Sequence, residues 1–220
     1  MTLRIGETAP DFTADTTLGR ISFHDWLGDG WGLLFSHPKD FTPVCTTEIG
    51  AMAAIEDEFL ARNCKVIGLG VDPVEAHDRW LTDVEQATGN RVGYPIIGDV
   101  HLEVAKAYGM LPADAGDSSE GRTAADNATA RTVFLIGPDR RLRAVLTYPM
   151  TSGRNFAEIL RLLDSCQLTE QQQLATPADW RSGDRVIIVP AVTDEAAAER
   201  FPDGFDAVLP YLRYVEEPSR

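Results

Sequence analysis

The feature that most constrains the fold is an apolar run at residues 32–35, which leads into a polar loop containing two prolines. An uninterrupted apolar run of this length predicts a buried strand. After the loop, apolar residues recur through residues 43–62 and predict one long helix with a buried face. The apolar positions of this helix are Ile49, Met52, Ala53, Ile55, Phe59 and Leu60.

Cys45 falls in the first turn of this predicted helix, three residues after Thr42, and Thr42 or a residue beside it can cap the helix. The positive end of a helix and its unpaired N–H groups stabilise a thiolate there. The alternative is a small buried apolar residue, which is the common fate of a free cysteine. The polar neighbours His37, Lys39 and Glu48 favour the reactive interpretation, because a packing cysteine needs no such company.

The rest of the chain alternates strands and helices. Residues 65–71 predict a second buried parallel strand, and two apolar runs around residues 137–140 predict a hairpin. The remaining predicted elements are helices at 73–88, 102–108 and 151–166 and strands at 94–97, 130–136 and 141–146. This order favours a mixed sheet with helices on both faces, an α/β fold of thioredoxin-like type.

Two segments depart from that pattern. Residues 112–130 are rich in Ala, Asp, Ser and Gly, which predicts an exposed, solvated insertion; a lid or an oligomer contact is the alternative. Residues 176–184 mark a boundary. Beyond it a small module is predicted, with extended segments at 186–189 and 211–215 and a helix at 194–200.

The composition excludes several functions. The formal net charge of −14 argues against binding to nucleic acid or to an anionic membrane, since both need basic patches. We find no apolar segment long enough to span a bilayer and no secretory signal. Three cysteines without a Cys-x-x-Cys pair suit a reducing compartment, and we expect a cytoplasmic protein. The four histidines show no metal-ligand spacing, so we predict no metal site and no cofactor.

The spacing Pro38-x-x-x-Thr42-x-x-Cys45 resembles the active-site motif of the peroxiredoxins. The longer run at residues 36–48 is similar to the one-cysteine, peroxiredoxin-6 type, and the resemblance extends along nearly the whole chain. It implies a thioredoxin-like peroxiredoxin domain at residues 1–166 and a C-terminal module at 167–220 that helps to form a homodimer, with decamers as a further possibility.

The same resemblance implies a thiol peroxidase. Cys45 would attack the peroxide and become a sulfenic acid, while Thr42 would hydrogen-bond to the sulfur or the peroxide and Pro38 would limit access of water. Arg131 stands at the entry of an apolar strand; an exposed strand end is one interpretation, but the resemblance favours contact with the cysteine. Backbone N–H groups near Cys45 would help Arg131 to stabilise the leaving oxygen.

Supporting roles are implied for three further residues. His37 would be a proton or hydrogen-bond partner, with packing in the loop as an equally weighted alternative. Glu48 would position the arginines, and Arg154 matches a second family arginine. We take Cys64 and Cys166 as structural, so the sulfenic acid would be reduced by an external thiol such as thioredoxin, glutathione or another small thiol.

Two other functions compete. Some peroxiredoxin-6-type proteins carry a Gly-x-Ser-x-Gly motif and add phospholipase activity, with a histidine and an aspartate that here correspond to His24 and Asp139. Gly30 stands at the serine position and offers no nucleophile, so we predict that serine-based hydrolysis of phospholipids is absent. The second alternative is a non-catalytic binding or chaperone module, which would not need Thr42, Cys45 and Arg131 together.

Overall fold

The structure is a computed structural model that describes residues 3–127 and 130–218. Its contacts divide the chain into two compact units, Met1–Phe156 and Ala157–Arg220. This division falls ten residues before the boundary predicted from sequence, because the contacts assign almost all of the helix that contains Cys166 to the second unit. The assignment of domains to residues 1–166 and 167–220 stays a prediction.

A seven-stranded mixed sheet forms the first unit, in the order β2-β1-β5-β4-β3-β6-β7. The strands are β1 (Thr13–Thr16), β2 (Gly19–Ser22), β3 (Trp31–Ser36), β4 (Cys64–Gly70), β5 (Ile96–Gly98), β6 (Thr132–Ile136) and β7 (Leu142–Thr147). The central strand β3 pairs in parallel with β4 and antiparallel with β6. The predicted hairpin is confirmed, because β6 and β7 pair antiparallel.

Helices flank this sheet. The helices between its strands are α1 (Phe23–Leu27), α2 (Pro43–Ala53), α3 (Glu56–Leu60), α4 (Val74–Thr88) and α5 (Glu103–Ala107). One core cluster joins α1 and α5 to the sheet residues Leu34, Leu69 and Phe134. Since side chains alternate along a strand, Phe35 points to the opposite face, where its ring meets Tyr94.

The prediction of one helix over residues 43–62 is wrong, because two helices, α2 and α3, occupy this range. The backbone N–H of Ile55 donates to the carbonyl of Met52, three residues back, at 3.1 Å. This tighter turn ends α2 at Ala53, and α3 begins anew at Glu56. No glycine or proline stands at residues 54–55, so the sequence did not mark the break.

The segment at residues 112–127 is mostly exposed turns and bends, in agreement with the predicted insertion, but its end is not solvated. Asn127 is fully buried and Ala130 lies in the core cluster. Residues 128–129, which belong to the predicted loop, lie outside the described residues.

The second unit has its own sheet of four strands in the order β10-β11-β9-β8. Its elements are α6 (Phe156–Gln172), β8 (Leu174–Ala175), β9 (Val186–Ile188), α7 (Asp194–Arg200), β10 (Asp206–Leu209) and β11 (Leu212–Val215). Trp180, Val186 and Ile188 form the centre of a separate core cluster. The predicted helix at 194–200 and strand at 186–189 are confirmed. None of the helices in the described ranges is long and apolar enough to cross a membrane.

Candidate active site

Cys45 is the third residue of α2 and is only 1% exposed. Thr42 occupies the N-cap position with extended backbone, and Pro43 follows as the first helical residue, where its missing N–H costs nothing. Contrary to the prediction, the Thr42 side chain does not cap the helix. Its hydroxyl donates instead to the carbonyl of Lys39 at 2.9 Å. The N–H groups of the first turn, including that of Cys45, therefore face the helix entrance without an intrahelical partner.

Arg131 lies immediately before β6 and is buried, with 1% of its surface exposed, so the interpretation as an exposed strand end is wrong. Its Nη2 donates to Sγ of Cys45 at 3.4 Å. Its Nη1 donates to Oε2 of Glu48. Its Nε is buried and has no hydrogen-bond partner among the described residues. One guanidinium thus contacts the sulfur and keeps one donor free beside it.

Glu48 lies one helical turn after Cys45 and binds a second buried guanidinium as well. Arg154 donates to Oε1 of Glu48 from its backbone N–H at 2.7 Å and from Nε at 3.0 Å, and to Oε2 from Nη2 at 2.8 Å. Arg154 also donates from Nη1 to the carbonyl of Ser36 at 2.8 Å, and its guanidinium lies over the ring of Phe35. Burial lowers the pKa of Arg154, and the charge of Glu48 acts against that shift.

These contacts explain why the predicted helix at 151–166 begins late. The backbone N–H of Arg154 is used by Glu48, which holds the segment before Phe156 out of the helix. The helix then continues past residue 166 to Gln172.

A buried carboxylate, Asp40, joins two histidines at this end of β3. Nε2 of His37 lies 2.7 Å from Oδ1 of Asp40, and Nδ1 of His77 lies 2.7 Å from Oδ2. Burial alone would raise the pKa of Asp40, but the hydrogen bonds from the two imidazoles outweigh it and hold that pKa below the usual range. Asp40 is therefore a carboxylate that accepts from both rings.

The remaining contacts of the two rings differ. Nε2 of His77 lies 3.1 Å from the carbonyl oxygen of Ile97, so both nitrogens of this ring face oxygen acceptors. Burial lowers the pKa of His37, which favours its neutral form with the single proton on Nε2, facing Asp40. Nδ1 of His37 is then a lone pair, buried and without a partner among the described residues.

Sequence reasoning missed this cluster. His77 falls within the helix predicted at 73–88 with no motif around it, yet it is fully buried. Gly70, which ends β4, makes room for it, because a Cβ there would lie 2.7 Å from both rings. The side-chain nitrogens and oxygens of His37, Asp40 and His77 could also hold a metal ion. The spacing of the histidines along the sequence did not reveal this cluster, because His77 joins His37 and Asp40 only in the folded chain.

The loop between β3 and α2 is held at nearly every residue. Pro38 is buried, and its carbonyl accepts from Nδ2 of Asn127 at 2.9 Å. Asp72 accepts from Nζ of Lys39 at 2.5 Å and from the backbone N–H of Asp40 at 2.9 Å. The site thus assembles the first turn of α2, the loop before it and the starts of β6 and α6.

The other two cysteines lie elsewhere. Cys64 begins β4 and is fully buried, and burial raises the pKa of its thiol, in agreement with a packing role. Cys166 lies on α6 and is partly exposed. Its structural role stays a prediction.

The positions related to phospholipase chemistry hold different contacts. Nε2 of His24 donates to the carbonyl of Ala9 at 3.0 Å, and Asp139 pairs with Nη1 of Arg143 at 3.0 Å. A Cβ at Gly30 would lie 2.9 Å from the carbonyl oxygen of Asn63. The absence of this activity stays a prediction.

Comparison with known proteins places this chain in a family. Residues 5–145 match the model of the AhpC/TSA family, and residues 165–204 match that of the C-terminal domain of 1-Cys peroxiredoxin. A 1-Cys peroxiredoxin of Dictyostelium discoideum is 48% identical over 218 residues, covering 99% of this chain and 87% of the relative. Peroxiredoxin-6 of Bos taurus is 47% identical over 225 residues, covering 98% of each chain.

Solved structures agree. That of a yeast mitochondrial 1-Cys peroxiredoxin, whose thiol is resolved via glutathione/thioredoxin systems, gives a TM-score of 0.91 at 46% identity, covering 98% of this chain and 100% of that chain. A cysteine-to-serine mutant of peroxiredoxin 6 from Arenicola marina gives 0.87 at 45%, covering 99% and 100%. The fold is thioredoxin-like, and the protein is a thiol-dependent peroxidase. The chain belongs to the peroxiredoxin family, in its one-cysteine, peroxiredoxin-6 type.

The triad of His37, Asp40 and His77 gives a first prediction. Asp40→Asn should lower the free energy of unfolding by about 3 to 5 kcal/mol, because it removes the buried carboxylate that accepts from two buried imidazoles. Urea denaturation at neutral pH measures this. Asp78→Asn is the control, since Asp78 is exposed and adjacent in sequence to His77, and it should change stability by less than about 0.5 kcal/mol. Equal effects of the two variants would contradict this account.

Glu48 gives a second prediction. Glu48→Gln should cost about 3 to 5 kcal/mol of stability, because two buried guanidiniums lose their shared carboxylate. The exposed pair of Glu58 and Arg62 offers the matched control. Glu58→Gln should cost less than about 1 kcal/mol. Both values come from urea denaturation, and a loss below about 1 kcal/mol for Glu48→Gln would refute the interpretation.

Proposed function

We propose that the protein reduces hydrogen peroxide and organic hydroperoxides at Cys45. The observation that carries this proposal is the contact of 3.4 Å between Nη2 of Arg131 and Sγ of Cys45 at the first turn of α2. A guanidinium and a helix N-terminus both favour a thiolate over a thiol. The thiolate is the nucleophilic form of cysteine, so this position suits attack on a peroxide.

The reaction forms one bond and breaks one. The thiolate attacks one peroxide oxygen, the O–O bond breaks, and the leaving oxygen takes up a proton and departs as water or an alcohol. Cys45 becomes a sulfenic acid, while the peroxide is reduced by two electrons. Arg131 supports this step with its free Nε donor, which can stabilise the charge that develops on the leaving oxygen.

Three loop residues complete the proposed peroxide site. The hydroxyl proton of Thr42 is used by Lys39, so its oxygen is available to accept from the O–H of the peroxide. Nδ1 of His37 is a second acceptor of the same kind. Pro38 is buried in the same loop and limits the access of water to the site. Glu48 and Arg154 act indirectly, by holding Arg131 against the sulfur.

The sulfenic acid is resolved by an external thiol in this proposal. A first thiol condenses with it to give a mixed disulfide and water, and a second thiol releases Cys45 and forms a disulfide with the first. Glutathione and thioredoxin are the candidates, in line with the yeast relative. Because Cys45 is 1% exposed, the first turn of α2 has to move before a bulky thiol can reach the sulfur.

The cellular location and the oligomeric state of the protein are also proposals. We expect a cytoplasmic homodimer, with the C-terminal module contributing to dimerisation, and no nucleic-acid or membrane partner. The relative in Saccharomyces cerevisiae is a mitochondrial protein.

Labelling tests the nucleophile directly. The reduced protein, treated with one equivalent of hydrogen peroxide and a dimedone-type probe, should form a sulfenic acid adduct that mass spectrometry locates at Cys45. Cys64→Ser and Cys166→Ser should keep the label, because neither thiol lies in the first turn of a helix. A label that persists in Cys45→Ser would disprove the assignment.

Arg131 gives a kinetic prediction. Arg131→Ala should slow oxidation of Cys45 by at least about tenfold, because a donor to the developing charge is lost. Stopped-flow mixing with hydrogen peroxide measures this rate. Arg141→Ala removes an equal charge from the exposed turn of the β6–β7 hairpin and should leave the rate within about twofold. Equal rates for the two variants would rule out the proposed role.

A further inference from the structure

The insertion between α5 and β6 is organised by one arginine. Arg122 donates from Nη1 to the carbonyl of Ala115 at 2.8 Å and from Nη2 to the carbonyl of Asp126 at 2.7 Å. Its Nε donates to Oδ1 of Asn127 at 2.7 Å. The guanidinium therefore closes the insertion on itself and fixes the side chain at its end.

Asn127 is the point at which this insertion meets the active-site loop. Its side chain is fully buried, and its Nδ2 donates to the carbonyl of Pro38 at 2.9 Å across 89 residues of sequence. The orientation of the amide is unambiguous, because a guanidinium can only donate and a carbonyl can only accept. Reversing the amide would place two donors together on one side and two acceptors on the other.

The contact with Asn127 engages the only hydrogen-bonding group that the backbone of Pro38 has. Proline has no N–H, so the carbonyl is its only backbone hydrogen-bonding group. Pro38 is flanked by His37 and Lys39. The side chain of His37 is hydrogen-bonded to Asp40, and the carbonyl of Lys39 accepts from the Thr42 hydroxyl. On the other side of the loop Asp72 holds Asp40 and Lys39. Asn127 and Asp72 thus hold the loop from two distant parts of the chain.

We propose that Asn127 is a positioning residue for the peroxide-binding loop at residues 37–42, and that Arg122 acts through it. The proposal rests on the proposed function, in which this loop receives the peroxide. Asn127 touches neither the sulfur nor the peroxide. It sets the position of the Thr42 and His37 acceptors, on which the reaction geometry depends.

Asn127→Asp isolates the contact. The carboxylate has the same shape and can still accept from Arg122, but it cannot donate to Pro38. We expect the second-order rate of Cys45 oxidation by hydrogen peroxide to fall about tenfold. The matched control is Asp126→Asn, which alters the contacts of Asp126 with Thr123 and leaves the contact with Pro38 in place. It should keep the wild-type rate within about twofold.

A second reagent separates positioning from general damage. Alkylation of Cys45 by iodoacetamide uses the same thiolate but does not need the peroxide acceptors. In Asn127→Asp its rate should stay within about threefold of wild type while peroxide oxidation falls. An equal fall in both rates would place the effect on the thiolate itself and overturn the proposal. A large rise in alkylation would mean that the loop has unfolded, and would overturn it too.

Arg122→Met keeps the test decisive if Asn127→Asp does not fold. It frees the Asn127 amide to rotate, so peroxide oxidation should slow again, and the effects of the two variants should not add where both can be measured. Unchanged oxidation in a folded Arg122→Met or Asn127→Asp protein refutes the positioning role. If the wild-type protein itself fails to be oxidised at Cys45, the proposed function fails instead, so the two failures are distinguishable.

Discussion

The shared carboxylate of Glu48 is the interaction on which the site depends. It receives hydrogen bonds from Arg131 and Arg154, both of which are buried. Moving a guanidinium out of water is costly unless an anion compensates it, and here one anion serves two cations. The positive charge left over lies beside Cys45, where Arg131 contacts the sulfur. A positive charge favours a thiolate, so in the proposed function the stability of the core and the reactivity of the sulfur depend on the same ion pairs.

The loop before α2 also depends on buried polar contacts. Its polar groups are satisfied by partners that lie far away in sequence, including Asp72, His77 and Asn127. The Thr42 hydroxyl already donates to Lys39, and Nδ1 of His37 has no partner among the described residues, so in the proposed function both can accept from a peroxide. A buried polar network holds such groups in fixed positions, which a solvated loop would not do.

Local patterns identified most of the framework. The apolar run at β3, the helix that begins at Pro43 and the hairpin of β6 and β7 follow from hydrophobic periodicity and from the positions of proline and glycine. The position of Cys45 in the first turn of α2 also follows from local sequence. The break between α2 and α3 was not visible, because it rests on backbone hydrogen bonds between residues three apart around Ile55 and no helix-breaking residue marks it.

The sequence by itself determined the alternation of strands and helices, the seat of Cys45 at a helix entrance and the membership of the peroxiredoxin family. Only the tertiary structure decided which side chains meet. It brought His77 to Asp40 across 37 residues, Arg154 to Glu48 across 106 and Asn127 to Pro38 across 89. Periodicity encodes which face of an element is buried, whereas the partners on that face depend on the order of the strands in the sheet and on the path of the loops between them.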